Sequence, residues 1–343
     1  MIIANVCRAT ISPQITSFLK APVTSKSINV SRLYTSNART GFRRAVRARP
    51  TLVEKAMAPA GENAYKLGKG FAAGASVLGI GALCYYGAGL SSSTGAIDHA
   101  ALWPQYVKDR IHTTYMYFGG SIAASVATAT AVLRSPAAMR MLTNSGWVAI
   151  GVSMVAMIGS GMLAQSIPYQ EGFGAKQMAW LLHSGVIGAV IAPLSLVGGP
   201  IILRAALYTA GIISALSAVA VCAPSDKFLN MGGPLAIGLG VVFASSVGTM
   251  FLPPTTVLGS GLHSMALYGG LILFSMFLLY DTQKIIKKAE TQSVSYGRDF
   301  SGNSVTYDSY DPINNAISIY LDTINIFVRM VTILAGGGGG KRK

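Results

Sequence analysis

The sequence predicts an all-α polytopic membrane protein. Of its 343 residues 51% are hydrophobic and only 11% are charged, and the apolar residues are gathered into long uninterrupted runs. About 20 apolar residues in a helix, at ~1.5 Å each, cross the ~30 Å hydrocarbon core of a bilayer. Runs of that kind occupy residues 71–90, 111–133, 143–165, 178–198, 201–222, 234–252, 262–280 and 313–335. Eight in series with short connections exclude a soluble domain, which cannot bury so much apolar surface.

The chain before the first run has a different character. Residues 1–53 hold nine basic side chains (Arg8, Lys20, Lys26, Arg32, Arg39, Arg43, Arg44, Arg47 and Arg49) and no acid precedes Glu54. A dispersed basic, Ser- and Thr-rich, acid-poor leader without an apolar core reads as a mitochondrial presequence rather than a secretory signal. Arg32-Leu33-Tyr34-Thr35-Ser36 resembles a matrix-processing site, with cleavage near Tyr34. Because the basic residues are dispersed and a membrane domain follows, no nucleic-acid partner is expected. The expected organisation is a presequence at 1–34, a basic matrix-facing segment at 35–70 and an additional transmembrane helix at 71–90. A helical core at 111–335 and a flexible glycine-rich basic tail at 336–343 complete it.

Loop charge supplies an orientation. One set of connections is net positive, with Lys66 and Lys69, Arg134 and Arg140, Arg204, and the terminal Lys341-Arg342-Lys343. The opposite set balances, with Asp98 and Asp109 against Lys108 and Arg110, Glu171 against Lys176, and Asp226 against Lys227. The positive-inside bias then places both termini in the matrix, for a multi-pass protein of the mitochondrial inner membrane. A re-entrant last segment would reverse the C-terminal side.

Two acids lie in the most apolar sequence. An ionisable group at membrane depth costs roughly 2.5–3.5 kcal/mol on insertion scales and marks an ion or proton path when it faces the protein interior. The last run opens with Asp311 as N-cap and Pro312 at the first helical position, where a missing N–H is harmless. Asn315, Ser318, Asp322, Asn325 and Arg329 then recur at alternating intervals of three and four, and so share one stripe of an apolar cylinder. Facing lipid would leave each without a partner, so the stripe must face other helices or water. Asp322 follows the cap by about 16 Å of helix, near mid-membrane. Asp281 closes the run LILFSMFLLYD, where the helix macrodipole disfavours an acid. Lys284, three residues on, is its local partner. Asp322 is expected as the buried carboxylate and Asp281 as the shallower, gate-side one.

The blocks LYGGLILFSMFLLYDTQKII (267–286) and DPINNAISIYLDTINIFVRMVTIL (311–334) resemble the last two conserved blocks of the Bax inhibitor motif family of membrane proteins. With its presequence, glycine-rich first span and basic tail, the chain is similar to the family's mitochondrial branch. The resemblance covers roughly residues 60–343 and implies a seven-helix Bax-inhibitor-like core preceded by one extra transmembrane helix. It further implies a pH-sensitive calcium leak or exchange activity, a role in restraining cell death, and a carboxylate pair at Asp281 and Asp322. One departure is visible. Many family members carry an arginine in the second core helix that pairs with the carboxylates, whereas residues 145–165 contain no basic side chain; Arg329 is the substitute the sequence offers.

Two acids brought together in a poorly solvated site cannot both ionise cheaply, so they share a proton, and its loss leaves a doubly negative site that opens or takes up a cation. Calcium prefers 6 to 8 oxygens and two carboxylates supply at most four. Water, backbone carbonyls or an amide such as Asn325 must supply the rest, which suits a weak, transient Ca²⁺ site for transport. No resident cofactor is expected, and Ca²⁺ and H⁺ enter as transported ions. The first functional reading is thus a Ca²⁺ channel or Ca²⁺/H⁺ exchanger, not an enzyme, working in the lipid bilayer. The alternative is a scaffold of inner-membrane cristae that holds membrane-protein partners in cell-death regulation. An intramembrane aspartyl protease is disfavoured, because no Gly-x-Gly-Asp or Pro-Ala-Leu element accompanies Tyr280-Asp281.

Other signals are weaker. His183 and His263 lie in apolar runs with no second histidine at metal-ligand spacing, and read as packed, hydrogen-bonded side chains. Cys84 and Cys222 lie in apolar runs without CxxC spacing and read as buried hydrophobes, while Cys7 falls in the presequence. Gly70 and Gly74 fit small-xxx-small helix packing, and Pro193 and Pro253-Pro254 are expected to bend or end helices.

Overall fold

The computed structural model describes residues 54, 55, 57, 58, 103–143, 147–223, 227–292, 294–298, 304–308 and 310–337. The presequence, Tyr34, nearly all of the basic segment, the span at 71–90 with Gly70 and Gly74, Cys84 and the terminal basic residues lie outside them.

Seven helical segments among the described residues are long and apolar enough to cross a membrane, and they coincide with the seven runs from 111–133 onward. Helix α1 (Gln105–Leu133) starts six residues before its apolar run, because Val107 and Arg110 turn inward on the first two turns and are both buried. A short amphipathic helix α2 (Pro136–Thr143) leads to α3 (Trp147–Ser166). Helix α4 (Ala175–Ile191) tightens into a 3₁₀ segment, Ala192–Val197, at Pro193, and the chain reverses at Gly198 with φ +114, a conformation suited to glycine. Helix α5 (Gly199–Cys222) follows, then α6 (Gly232–Phe251), which stops before Pro253-Pro254 as expected.

The next span is compound. Helix α7 (Val257–Ser264), capped by Thr256 Oγ1 accepting from the Gly259 N–H at 3.1 Å, runs through a π turn at Met265–Gly269 into α8 (Gly270–Thr291). The π turn inserts one extra residue and leaves carbonyls out of the regular ladder. Between α8 and the final helix α9 (Pro312–Gly337), the connection expected as a plain loop holds an antiparallel hairpin, β1 (Val294–Arg298) on β2 (Ser304–Asp308), with Val294 opposite Asp308.

Helix α9 is the pillar of the bundle, packed on α1, α5 and α8, while α1 also packs on α4, α4 on α3, and α6 on α7 and α8. Ile313, Ala316, Ile317, Ile319, Tyr320, Ile326 and Val331 are all buried, so α9 is covered on several sides. Without a hydrophobic driving force between helices in lipid, close approach depends on small residues and interhelical hydrogen bonds, and the α1–α4–α9 junction shows both. Trp180 Nε1 donates to Ser121 Oγ at 2.7 Å, and Ser125 Oγ lies 2.9 Å from the Ser184 carbonyl and 2.6 Å from the Tyr320 hydroxyl.

Cys222 corrects an expectation. It is half-buried and disulfide-bonded rather than a free buried hydrophobe, and the chain's other cysteines lie outside the described residues. Apolar spacing carries no information on cysteine pairing, which depends on where the ends of helices meet.

Gly188 is where α4 comes closest to α1, since a Cβ there would lie 2.4 Å from the Ser125 carbonyl oxygen. Gly188→Val is expected to destabilise the bundle by at least ~1–3 kcal/mol through this backbone collision. Thermal unfolding of the purified protein in detergent checks it, with Gly151→Val, which meets nothing within 4 Å, as the neutral control.

Candidate ion site

The site is built from the start of α9 along its length. Asp311 caps the helix as expected, its Oδ1 accepting from the Asn314 N–H at 2.9 Å. Its other oxygen pairs with Lys176 on α4, and the same ammonium donates to the Ile167 carbonyl at 2.7 Å and to Asn314 Oδ1 at 3.0 Å. Lys176 is only 2% exposed, yet three acceptors satisfy its three N–H groups. From sequence it only balanced Glu171; its partner stands 135 residues away.

About three helical turns beyond Asp311, Asp322 meets Asp281. Both are buried, at 5% and 8% exposure, and their side chains face each other between α8 and α9. A hydrogen bond between two carboxyl groups needs a proton on one of them, because ionised carboxylates only accept. Asp322 Oδ2 is buried with no hydrogen-bond partner. Lys284 Nζ lies 3.8 Å from Asp281 Oδ1, with its side chain 39% exposed and over the Tyr280 ring. One turn further, Lys288 Nζ donates to Asn315 Oδ1 at 3.1 Å.

The helix-end position expected for Asp281 is corrected. Its helix does not end with the apolar run but continues ten residues to Thr291, about 15 Å. Ile285, Ile286 and Ala289 bury one face of this amphipathic extension. Arg110 on α1 ties down its end, donating to the carbonyls of Ala289 at 2.8 Å and Gln292 at 2.9 Å and stacking near Tyr310. Asp281 is therefore inside a helix at the level of Asp322, and the macrodipole argument does not apply to it.

The polar stripe divides. Asn315 joins the lysine side of the pair, and Ser318 Oγ lies 3.4 Å from the Asn314 carbonyl of its own helix. Asn325 Nδ2 donates to the Leu321 carbonyl at 2.9 Å, while its Oδ1 accepts from Arg329 Nη1 at 2.9 Å. Arg329 also donates from Nε to the Ala266 carbonyl in the π turn at 3.3 Å and lies over the Phe274 ring. Room for it exists because residue 270 is glycine; a Cβ there would fall 2.2 Å from Arg329 Nε. Arg329 is thus not the carboxylates' partner, and the Asn325 amide oxygen is already engaged. Nearer the pair, the cations are Lys284 and Lys288.

The histidines stay apart. His183 bonds Ser160 Oγ through Nδ1 at 3.0 Å, and His263 is half-buried on α7. No group of three or more His, Cys, Asp or Glu side chains able to hold a metal occurs among the described residues. The carboxylate pair is the acidic centre of the bundle.

The family described as Inhibitor of apoptosis-promoting Bax1 matches residues 107–339, all the helices of the described core. The chain belongs to the Bax inhibitor family. The resemblance in the two C-terminal blocks is thereby confirmed, and both carboxylates fall in the family region. Growth hormone-inducible transmembrane protein of Rattus norvegicus is 56% identical over 294 residues, covering 85% of this chain and 82% of that protein. An uncharacterized protein of Helicobacter pylori is 28% identical over 232 residues, 65% of this chain and 85% of its own length. Bax inhibitor 1 of Oryza sativa is 24% identical over 193 residues, 55% of this chain and 70% of its own length.

Lys176→Met leaves Asp311 without its buried cation at the N-terminal end of the central helix. The expected loss is roughly 3 kcal/mol, the lower end for a broken buried pair because the Asp311 side chain keeps 22% exposure. Denaturant unfolding in detergent micelles measures it, and Lys176→Met with Asp311→Asn is expected to recover part of the loss.

Proposed function

We propose that the chain conducts Ca²⁺ across the mitochondrial inner membrane, as a channel or in exchange for H⁺, gated by the shared proton of Asp281 and Asp322, and that through this it restrains cell death. The observation that carries the reading is the juxtaposition of two buried carboxyl groups on adjacent, packed helices of a seven-span bundle. With one proton between them the pair carries a single negative charge, opposed by Lys284. Release of that proton leaves two charges in contact at low dielectric, where their repulsion is several times its value in water. The pair then separates or binds a cation.

A divalent cation relieves this repulsion most fully. The two carboxylates offer at most four oxygens of the 6 to 8 that Ca²⁺ prefers, and the Asn325 amide is committed to Arg329. Water and backbone carbonyls must complete the shell, which makes the site weak and suits passage rather than storage. Lys284, whose side chain is 39% exposed and meets Asp281 only at 3.8 Å, can swing from Asp281 as the cation arrives. The mitochondrial address and matrix-facing termini rest on the basic leader and the loop charges. The link to cell death rests on the family description and on relatives named Bax inhibitor 1. No catalytic role is proposed for the acids.

Reconstitution in liposomes loaded with a Ca²⁺ indicator tests the reading. Flux is expected to rise with pH as the pair loses its proton and to fall at acid pH where the proton is retained. Asp322→Asn and Asp281→Asn are each expected to lower flux at least about tenfold and flatten its pH dependence. Unchanged flux in both variants sinks the transport reading and leaves the scaffold.

A further inference from the structure

We propose that the apolar run at 71–90 crosses the membrane in parallel along the outer face of α5 and is joined to it by a disulfide between Cys84 and Cys222. The described residues on either side of this run fix where the crossing begins and ends. The Ala58 carbonyl accepts the Val257 N–H at 2.8 Å, at the start of α7. Trp103 Nε1 donates to Glu290 Oε1 at 2.7 Å, at the far end of α8. Val257–Thr291 is one membrane-long segment, so the two contacts stand at its opposite ends and residues 59–102 have to pass between them. Within that stretch, 71–90 is the run long and apolar enough to cross.

Cys222 identifies the helix that this run follows. It is the last residue of α5 and is disulfide-bonded, and the chain's other cysteines are Cys7 and Cys84. Residues 1–57 contain no run able to cross a bilayer, which keeps Cys7 on the side of Ala58. The end of α5 is on the other side, where Gln283 of α8 donates to the Ala220 carbonyl at 3.2 Å and accepts from the Phe228 N–H at 2.7 Å. Cys84 is at the right height to reach it. From Val257 to Gln283 is 26 residues, and from Ala58 to Cys84 is also 26. A helix of that length rises about 39 Å, so one that starts level with Val257 brings Cys84 level with Gln283 and the end of α5.

The face of α5 that ends in Cys222 is open to receive a helix. Leu203, Leu207, Gly211, Ser214 and Ala218 precede the cysteine at intervals of four or three, on one stripe. All five are exposed, Leu203 and Leu207 at 62% and 64%. A Cβ at Gly211 meets nothing within 4 Å among the described residues. In the run itself Gly74, Val77, Gly81, Cys84 and Ala88 recur at three and four. A disulfide holds its two Cα atoms about 4.4–6.8 Å apart, and helices lie that close only where the neighbouring side chains are small. Gly81 and Ala218, one turn before each cysteine, and Gly74 and Gly211, three turns before, meet that requirement. Formation of the bond by thiol–disulfide exchange joins the two sulfurs and passes their two protons and two electrons to an oxidant disulfide, which leaves as two thiols. Because α5 packs on α8 and α9, the bond fastens the added span to the helices that carry Asp281 and Asp322.

The test uses the full chain, extracted in detergent with N-ethylmaleimide present and no reductant. Peptide mapping without reduction is expected to recover Cys84 and Cys222 as one linked peptide from monomeric protein, with Cys7 alkylated. Cys84→Ser is expected to abolish the linked peptide and expose Cys222 to alkylation. The register is read with a second pair in the chain whose three native cysteines are replaced by serine. Gly74→Cys with Gly211→Cys is expected to crosslink within one chain under copper phenanthroline. Gly74→Cys with Val155→Cys, on α3 and 72% exposed, is expected not to. Linkage of Cys222 to Cys7 or to a second chain overturns the proposal, as does an alkylated Cys222 in the unmodified protein. Absence of the crosslink to Gly211→Cys, or an equal crosslink to Val155→Cys, overturns the docking on α5.

Discussion

A helix that carries polar side chains through hydrocarbon has to find every one of them a partner inside the protein, because the surrounding solvent offers none. Helix α9 is that helix, and its partners come from different directions. Asp311 takes Lys176 from α4, Asn315 takes Lys288 from α8, and Tyr320 takes Ser125 from α1. Asp322 takes Asp281 from α8, and Arg329 takes the Ala266 carbonyl of the π turn. Each bond fixes a neighbour's height and rotation against the central pillar. A one-turn slip of any neighbour would leave buried polar atoms unpaired at several levels together.

The two halves of the pillar differ in what can move. Below the carboxylates, Arg329 is held by Asn325, by Ala266 and by Phe274, and the absent side chain at Gly270 makes the space it fills. The π turn matters here because it supplies a carbonyl that a regular helix would have used in its own ladder. Above the carboxylates, the nearest cation is Lys284, whose side chain is 39% exposed and meets Asp281 only at 3.8 Å. A firm floor under a loosely neutralised pair is an arrangement in which a change of protonation acts on the open side.

The pair's nearby cations come from α8, in a chain whose residues 145–165 carry no basic side chain. Lys284 and Lys288, one and two turns beyond Asp281, bring cationic charge to the pair from its own helix rather than from across the bundle. That works because α8 continues well past its apolar run. Arg110, clamped on the last carbonyls of the extension, keeps those turns helical.

Much of this was legible in the residues alone. Seven described spans, the Asp311 cap and the inward stripe follow from hydropathy and a 3.6-residue period, which are properties of short stretches of chain. The buried position of Asp322 follows from the same period. The sequence could not place Asp281, because the turns after it are amphipathic rather than apolar and read as the end of a span until α1 is seen to cover them. Nor could it pair Lys176 with Asp311, part Arg329 from the carboxylates, or join Cys222 in a disulfide. Those outcomes depend on which helix ends meet. Local periodicity decides which face of a helix must be buried, whereas the tertiary packing of many helices at once decides what it is buried against.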